Sequence, residues 1–318
     1  MERKQNLDFE KRYDAIVTIY HIRCIDGVEI PLASAKLYSE DAQDRHSSLK
    51  FQVTGDDDSR LEQVDCEVER ALQVLRFICP WYEDDSKSIN SARSVSMWPH
   101  SARNIVFRPI SATIDSIPRC VGKPKVQSET QLLHMPFFPA LLHHAKISCS
   151  LDEINHHFRN SDHNPVSRRF CRAFEFYDIA SRSTDVAVAL ANFVISVDIL
   201  LPSKNPKAKR LTESLSSLIR QADRYEGLLT RAEGYPDTSL TRWAESVNLT
   251  MSDYKGFYVM RDKVLHGNTM SESFSHEQVK KARQIAKNAI IAYARLSHSL
   301  DWQSDNEAKK WFKEAESA

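Results

Sequence analysis

Glycine is scarce in this sequence, with 7 residues among 318. The chain therefore has no glycine-rich phosphate loop, which excludes the common nucleotide-binding motifs of that type. The 6 cysteines form no Cys-x-x-Cys pair and are typical of reduced thiols. No run of about 18 uncharged apolar residues occurs, and the charged N-terminus lacks the apolar stretch of a secretory signal. We therefore expect a cytoplasmic protein without a membrane span.

Net charge is also absent, because 43 Lys and Arg balance 43 Asp and Glu. The balance conceals an uneven distribution. Residues 166–300 carry 20 Lys and Arg against 14 Asp and Glu, whereas residues 1–165 carry 20 against 24. The C-terminal half is thus the part that would attract a phosphate-bearing partner, although a solvated helical surface gives a similar excess.

With 42% hydrophobic and 27% charged residues, the composition is that of a soluble globular protein with one large or two ordinary domains. The composition changes between residues 143 and 165, where we place the domain boundary. The expected organisation is an α+β domain over residues 1–160, an all-α bundle over residues 166–300 and a C-terminal tail over residues 301–318.

The N-terminal half contains patterns of strands around one helix. Residues 13–22 and 28–32 predict strands, and Asp26-Gly27 between them predicts a hairpin turn. Alternating apolar residues at 49–53 predict another strand, and apolar residues at helical spacing over 61–78 predict a helix. Further short strands are expected at residues 95–98 and 104–107, whereas the proline-rich segment 110–139 predicts no element.

The C-terminal half contains helical patterns almost throughout. Ser275 and Gln278 have the spacing of a capping box, which predicts the start of a long helix with an apolar side from Val279 to Leu296. Two long helices are expected before the stretch 254–267 and one after it, which together form a bundle. The other expected helices are residues 168–180, 186–201, 211–219 and 239–247.

Residues 254–267 place a polar group on an otherwise apolar helix. Asp262 and His266 are four residues apart, so they share a helix face and the carboxylate can reach the imidazole. Arg261 precedes them, and its long side chain can extend toward the same place. Gly267 is a usual helix-ending residue, so His266 is expected at a helix C-terminus, where the dipole favours an imidazolium.

This stretch resembles the signature of the HEPN superfamily, in its Apea-like branch. The signature is an arginine, a polar residue, three further residues and a histidine, here Arg261 to His266, with Tyr258 upstream and Gly267 downstream. The resemblance extends over about residues 166–300. It implies a homodimeric, metal-independent endoribonuclease that cleaves tRNA or mRNA without a cofactor. It also implies a role in a toxin–antitoxin system, abortive infection or other anti-phage defence, with an antitoxin or a phage-derived trigger as partner.

The resemblance also implies roles for individual residues. His266 would be the acid/base, Arg261 would stabilise charge on the phosphate, and Asp262 would orient both. Many relatives have Asn or His in place of this aspartate, whose charge would repel phosphate unless paired with Arg261. Asp198 matches an acidic residue that relatives carry on the helix 185–201, and a solvent-facing position near the helix end is the equally weighted alternative. The basic residues that could contact RNA, or simply be solvated, are Lys204, Lys207, Lys209, Arg210 and Lys263.

Two other groups of residues have simpler interpretations. The histidine-rich zone lacks the paired short spacings of a zinc site, so we interpret its members as boundary or surface histidines. The aromatic residues of the tail are expected to pack on the bundle rather than bind bases. The histidine-rich zone consists of His143, His144, His156, His157 and His163 with Cys149 and Asp152. The aromatic residues of the tail are Trp302, Trp311 and Phe312.

Two alternatives to a ribonuclease stay open at this point. One is a non-catalytic HEPN module that binds a partner protein or a nucleotide, in which Arg261, Asp262 and His266 only stabilise the bundle. The other is a DNA-binding regulator with a helical dimerisation domain, although the sequence contains no recognisable recognition helix. The N-terminal α+β domain is expected to sense a trigger or to restrain the activity of the bundle.

Overall fold

The computed structural model contains two compact units, Met1–Arg76 with Met97–His143 and Phe77–Ser96 with His144–Ala318. The first unit holds an antiparallel sheet and the second is mostly helical, which confirms the coarse expectation of an α+β region followed by helices. Within the described residues, no helix is long and apolar enough to cross a membrane. The described residues are 12–20, 29–38, 47–55, 57–78, 100–109, 119–121, 150–183, 185–201, 213–221, 256, 258–266 and 274–315.

The described strands of the first unit form a six-stranded sheet in the order β2-β3-β4-β1-β5-β6, with every neighbouring pair antiparallel. In β4, buried Leu49 and Phe51 alternate with exposed Lys50 and Gln52, because successive side chains of a strand point to opposite faces. The strands are β1 (Arg12–Tyr20), β2 (Ile30–Leu32), β3 (Ala35–Tyr38), β4 (Ser47–Thr54), β5 (His100–Pro109) and β6 (Arg119–Val121).

The predicted hairpin between the first two strands is wrong. β2 pairs with β3, as in Leu32↔Ala35, whereas β1 lies between β4 and β5. The tight turn is at Ala33, whose φ of 55° lies in the left-handed region. A two-residue connection between β2 and β3 closes a very short loop at low entropic cost. Asp26-Gly27, the expected turn, lies outside the described residues, as do residues 95–98.

Helix α1 (Asp57–Ile78) confirms the helix predicted before Pro80. It follows Gly55, whose φ of 94° is a conformation that favours glycine. Residues Val64, Val68 and Leu75 recur at helical spacing and are buried. β6 was not expected, because its three residues are too short to show an alternating pattern.

Several helices of the second unit begin at side-chain caps. Asn164 Oδ1 accepts hydrogen bonds from the backbone N–H groups of Val166 and Ser167, and Asp185 caps α4 in the same way. The predicted capping box of Ser275 and Gln278 is confirmed. The helices are α2 (Leu151–Asn160), α3 (Pro165–Arg182), α4 (Val186–Leu200), α5 (residues 213–221), α6 (residues 258–265), α7 (His276–Ser299) and α8 (Asp305–Ala315).

The core of this unit lies where α3, α4 and α7 pack together. Its large side chains include Phe170, Phe174, Phe193 and Tyr293, all buried. The tail packs on this core as predicted, since Trp302 is buried and lies 5.6 Å from Tyr293 between ring centroids. Helix α2 lies before residue 166, where the bundle was predicted to start. It is therefore a helix of the bundle that the prediction did not include. Residues 239–247 and the capping pattern at 250–253 lie outside the described residues.

His157 is not a surface histidine as predicted, because it is only 3% exposed. Its Nε2 lies 2.8 Å from Ser297 Oγ and its Nδ1 lies 2.9 Å from Ser167 Oγ. The Ser297 hydroxyl donates its proton to the Tyr293 carbonyl, so its oxygen must accept from the imidazole. Nε2 therefore carries the proton, and Nδ1 accepts from Ser167. The His157 side chain extends from α2 and hydrogen-bonds to Ser167 on α3 and Ser297 on α7. Its position between these three helices explains its burial.

Candidate functional site

The candidate site is built on α6, and its residues follow one another along the last turns of that helix. Tyr258 is buried, Arg261 and Asp262 lie one turn later, and His266 stands in the turn that ends the helix. The His266 backbone N–H still donates to the Asp262 carbonyl at 3.0 Å, as in a helical turn. The site thus combines one buried aromatic ring with polar groups that face toward solvent.

Arg261 is the centre of the site because it contacts the other groups directly. Its Nη1 donates to Asp198 Oδ2 on α4. Its Nε and Nη2 donate to Asp262 Oδ1, at 3.2 Å and 2.7 Å. Its guanidinium carbon lies 4.3 Å from the centroid of the Tyr258 ring. The guanidinium therefore links α4 to α6 and draws together residues far apart in the chain.

These contacts leave the guanidinium with unused hydrogen-bonding capacity. A guanidinium has five N–H donors in one plane, and three of them point to described carboxylate oxygens. One N–H on Nη1 and one on Nη2 are not used by these carboxylates, and the Tyr258 hydroxyl also takes part in a hydrogen bond with Arg261. The Arg261 side chain is 16% exposed, so part of it is accessible to an oxyanion from solvent.

The surroundings keep the Arg261 guanidinium charged and the Tyr258 phenol neutral. Burial acts to lower the pKa of Arg261, but the Asp262 hydrogen bond and the Asp198 charge outweigh it, so the pKa is raised. Burial raises the pKa of Tyr258, and the negative charge of Asp198 adds to that shift, although Arg261 opposes it. Arg261 is therefore a permanent cation beside a neutral tyrosine at physiological pH.

Asp262 does not bind His266 as the sequence predicts. Its carboxylate binds Arg261 instead, because a neighbouring guanidinium offers two charge-assisted hydrogen bonds to one oxygen. The His266 imidazole is exposed and has no hydrogen bond to any described residue. Five positions along the chain separate it from Arg261, so both lie at the same end of α6. The imidazole is thus open to a ligand.

Asp198 had two interpretations from the sequence, a solvent-facing residue or a partner of the Arg/His pair. In the structure its carboxylate is 16% exposed and accepts from Arg261, so the two residues lie together. Asp198 lies near the end of α4, two positions before Leu200, the last residue of that helix. The approach of the α4 end to α6 is what brings this acid to the site.

Of the other predicted binding residues, the structure describes only one. Lys263 is exposed on α6. Lys204, Lys207, Lys209 and Arg210 lie outside the described residues. In the part of the chain that the structure describes, no group of three or more His, Cys, Asp or Glu side chains has the geometry of a metal site.

Sequence reasoning did not identify the contact between Tyr258 and Arg261, although both residues belong to the recognised signature. The signal was present, because residues three apart on a helix lie on neighbouring surface positions. A second contact that was missed joins α6 to α7, where Gln278 Nε2 lies 3.9 Å from Met260 Sδ. The contact of Gln278 with Met260 joins α6 to the bundle, whereas the contact of Tyr258 with Arg261 lies within α6.

The ion pair between Arg261 and Asp198 is expected to stabilise the fold measurably. In a double-mutant cycle of Arg261→Ala and Asp198→Ala, we expect a coupling of about 1.5–3 kcal/mol in the free energy of unfolding, because each side chain is 16% exposed. The matched cycle with Asp262→Ala should give about 0.2–1 kcal/mol, since Asp262 is 47% exposed. Urea unfolding measures both, and equal couplings would contradict the predicted ranking.

Comparison of the chain with models of protein families, with curated proteins and with solved structures returned no match. Inference about function therefore depends on the chemistry and geometry of the residues themselves.

Proposed function

We propose that the chain is a metal-independent endoribonuclease of the HEPN type. The observation that carries the proposal is Arg261, held by Asp198 and Asp262 with two N–H groups left over, at the same helix end as the exposed His266 imidazole. A guanidinium suits a phosphate, and a solvent-exposed imidazole suits proton transfer.

The proposed reaction uses the ribose 2′-hydroxyl as nucleophile. A base removes its proton, the O2′ forms a bond to the adjacent phosphorus, and the bond from phosphorus to O5′ breaks. An acid then donates a proton to the leaving O5′, which gives a 2′,3′-cyclic phosphate and a 5′-hydroxyl. Arg261 would stabilise the added negative charge on the phosphate oxygens, and His266 would carry out one of the two proton transfers.

A homodimer would supply the second proton-transfer group. The signature contains a single imidazole, whereas the reaction needs both a base and an acid. Two α6 ends in one cleft would place two copies of His266 on either side of the phosphate. We propose that the dimer forms through the helical unit, and that the N-terminal unit senses a trigger in a defence or toxin–antitoxin system. This biological role follows from the family resemblance alone.

The direct test is incubation of the purified full chain with total RNA or tRNA in EDTA. We expect cleavage that resists the chelator, because none of the proposed groups requires a metal, and products that end in 2′,3′-cyclic phosphate. Arg261→Ala should reduce the rate by about 10²–10³, as removal of a charge-stabilising donor does in other enzymes. Cleavage that survives in this variant would contradict the assigned role.

One observation favours a second candidate, a non-catalytic helical module that binds a partner protein. Arg261 contacts two carboxylates, so the three groups together carry one net negative charge, which weakens attraction to phosphate. In that case Arg261 serves to join α4 to α6. The two candidates predict different results. If the chain is a binding module, Arg261→Ala should lower the free energy of unfolding, and no purified preparation should cleave RNA under any trigger condition.

A further inference from the structure

The Arg261 guanidinium lies over the Tyr258 ring. The Arg261 Cζ atom lies 4.3 Å from the ring centroid, which is the distance of a cation–π contact. The ring is 7% exposed, so packed neighbours on other sides restrict its motion. A guanidinium in contact with a fixed ring has a restricted position, whereas an arginine side chain on its own has many rotamers.

The two aspartates complete this restraint within the plane of the guanidinium. Asp262 Oδ1 takes the Nε–H group and one N–H of Nη2, while Asp198 takes one N–H of Nη1. The two remaining N–H bonds lie in that same plane, on Nη1 and Nη2, because all five N–H bonds of a guanidinium are coplanar. The ring contact and the two aspartates together therefore determine the direction from which an oxyanion can reach these N–H groups.

We propose that Tyr258 is a positioning residue, whose ring sets the plane of Arg261 so that its two remaining N–H groups bind a phosphodiester of RNA. The inference depends on the proposed function, because it assigns a ligand to the same arginine. It adds a residue that does not touch the RNA itself. The ring acts through Arg261, and its effect is on the affinity for the phosphate.

The aromatic ring, rather than the hydroxyl, is the part of Tyr258 that this role requires. Since burial raises the pKa of Tyr258, the phenol stays neutral and contributes no charge of its own. Tyr258→Phe removes the hydroxyl and its hydrogen bond with Arg261, but it keeps the ring under the guanidinium and should preserve binding. Tyr258→Leu keeps an apolar side chain but removes the ring face, so it should weaken binding.

The test follows the Arg261 Nε–H signal by NMR in the full chain labelled with ¹⁵N-arginine, with Arg261→Lys used to assign the signal. The probe is an RNA oligonucleotide methylated at every 2′-oxygen, which cannot be cleaved by 2′-OH attack. We expect the signal to shift on titration with similar Kd in the wild-type protein and Tyr258→Phe, and a Kd about tenfold higher in Tyr258→Leu.

The matched control is Phe176→Leu, which removes a ring from beneath a different arginine. Arg172 lies 5.1 Å from the Phe176 centroid on α3, and both are outside the candidate site. This variant should bind the oligonucleotide as the wild-type protein does. If Tyr258→Leu fails to fold, pentafluorophenylalanine at position 258 keeps the ring shape but reverses its electrostatic face, and it should weaken binding in the same way.

Two results would overturn the inference: binding by the ring-altered variants as tight as that of the wild-type protein, or no shift of the Arg261 signal in the wild-type protein. Cleavage of unmodified RNA, measured in parallel, reports separately on the proposed function. Binding that depends on Tyr258 without cleavage by any preparation would support the positioning role and count against the ribonuclease. Cleavage without any dependence on Tyr258 would do the opposite.

Discussion

Replacement of His266 by alanine is expected to lower the rate of RNA cleavage by about two to four orders of magnitude, the usual contribution of a positioned acid or base. The fold should be unaffected, because the imidazole is exposed and has no hydrogen bond to the described residues. The free energy of unfolding should change by no more than about 0.5 kcal/mol. Initial rates with RNA in EDTA, together with urea unfolding, measure both quantities.

The matched control for this variant is His163→Ala. His163 is also an exposed histidine, but it lies in the turn after α2 and outside the candidate site. Its removal should leave the rate unchanged. A His266→Ala protein that cleaves at the wild-type rate would refute the assigned acid/base role. Equal losses in both variants would instead indicate that activity depends on general properties of the surface.

The buried His157 is expected to make the helical unit sensitive to acid. Burial, followed by the nearby His156 and His298, lowers the pKa of His157 from 6.5 to about 3. Between these two values the unfolded chain binds a proton that the folded chain does not, so stability falls as the pH decreases. The loss is about 1.4 kcal/mol per pH unit, and it levels off below about pH 3.

His157→Gln removes this titration, and its amide nitrogen replaces the Nε2 donor to Ser297. The wild-type protein should be more stable than the variant at pH 7, and this advantage should shrink as the pH falls from 6.5 toward 4.

Val279→Ala is the matched control, because it truncates a buried side chain of α7 without removing a titratable group. Its difference from the wild-type protein should not depend on pH. Urea unfolding at several pH values measures both differences, and parallel pH curves for His157→Gln and the wild-type protein would contradict the prediction.

Much of the fold could be predicted from local patterns. The helices α1, α4 and α7 have long apolar periodicities with clear ends, such as Pro80 after α1 and the capping box before α7. The strand β4 shows strict alternation. Shorter elements were missed: β6 has three residues, and the ten residues of α2 are rich in histidine and charge, which obscured their apolar side.

The candidate site was predicted in part. Arg261, Asp262 and His266 came from one short stretch, because the signature is local. The pairing within it was not predictable from helical geometry alone. Asp262 shares a helix face with His266, but its charge-assisted contact is with the Arg261 guanidinium. Tyr258 was recognised as part of the pattern, but its stacking on Arg261 depends on the burial of the ring by surrounding helices.

The sequence by itself determined the helical and strand character of the longest elements, the caps that start them and the residues of the α6 signature, since these depend on neighbours a few positions apart. Only the tertiary structure decided which distant residues meet. Asp198 reaches Arg261 across 63 positions, and His157 reaches Ser297 across 140. Such contacts depend on how whole helices pack, because the burial of apolar faces determines the positions of the helices. Polar side chains then pair with those that the packing brings within reach.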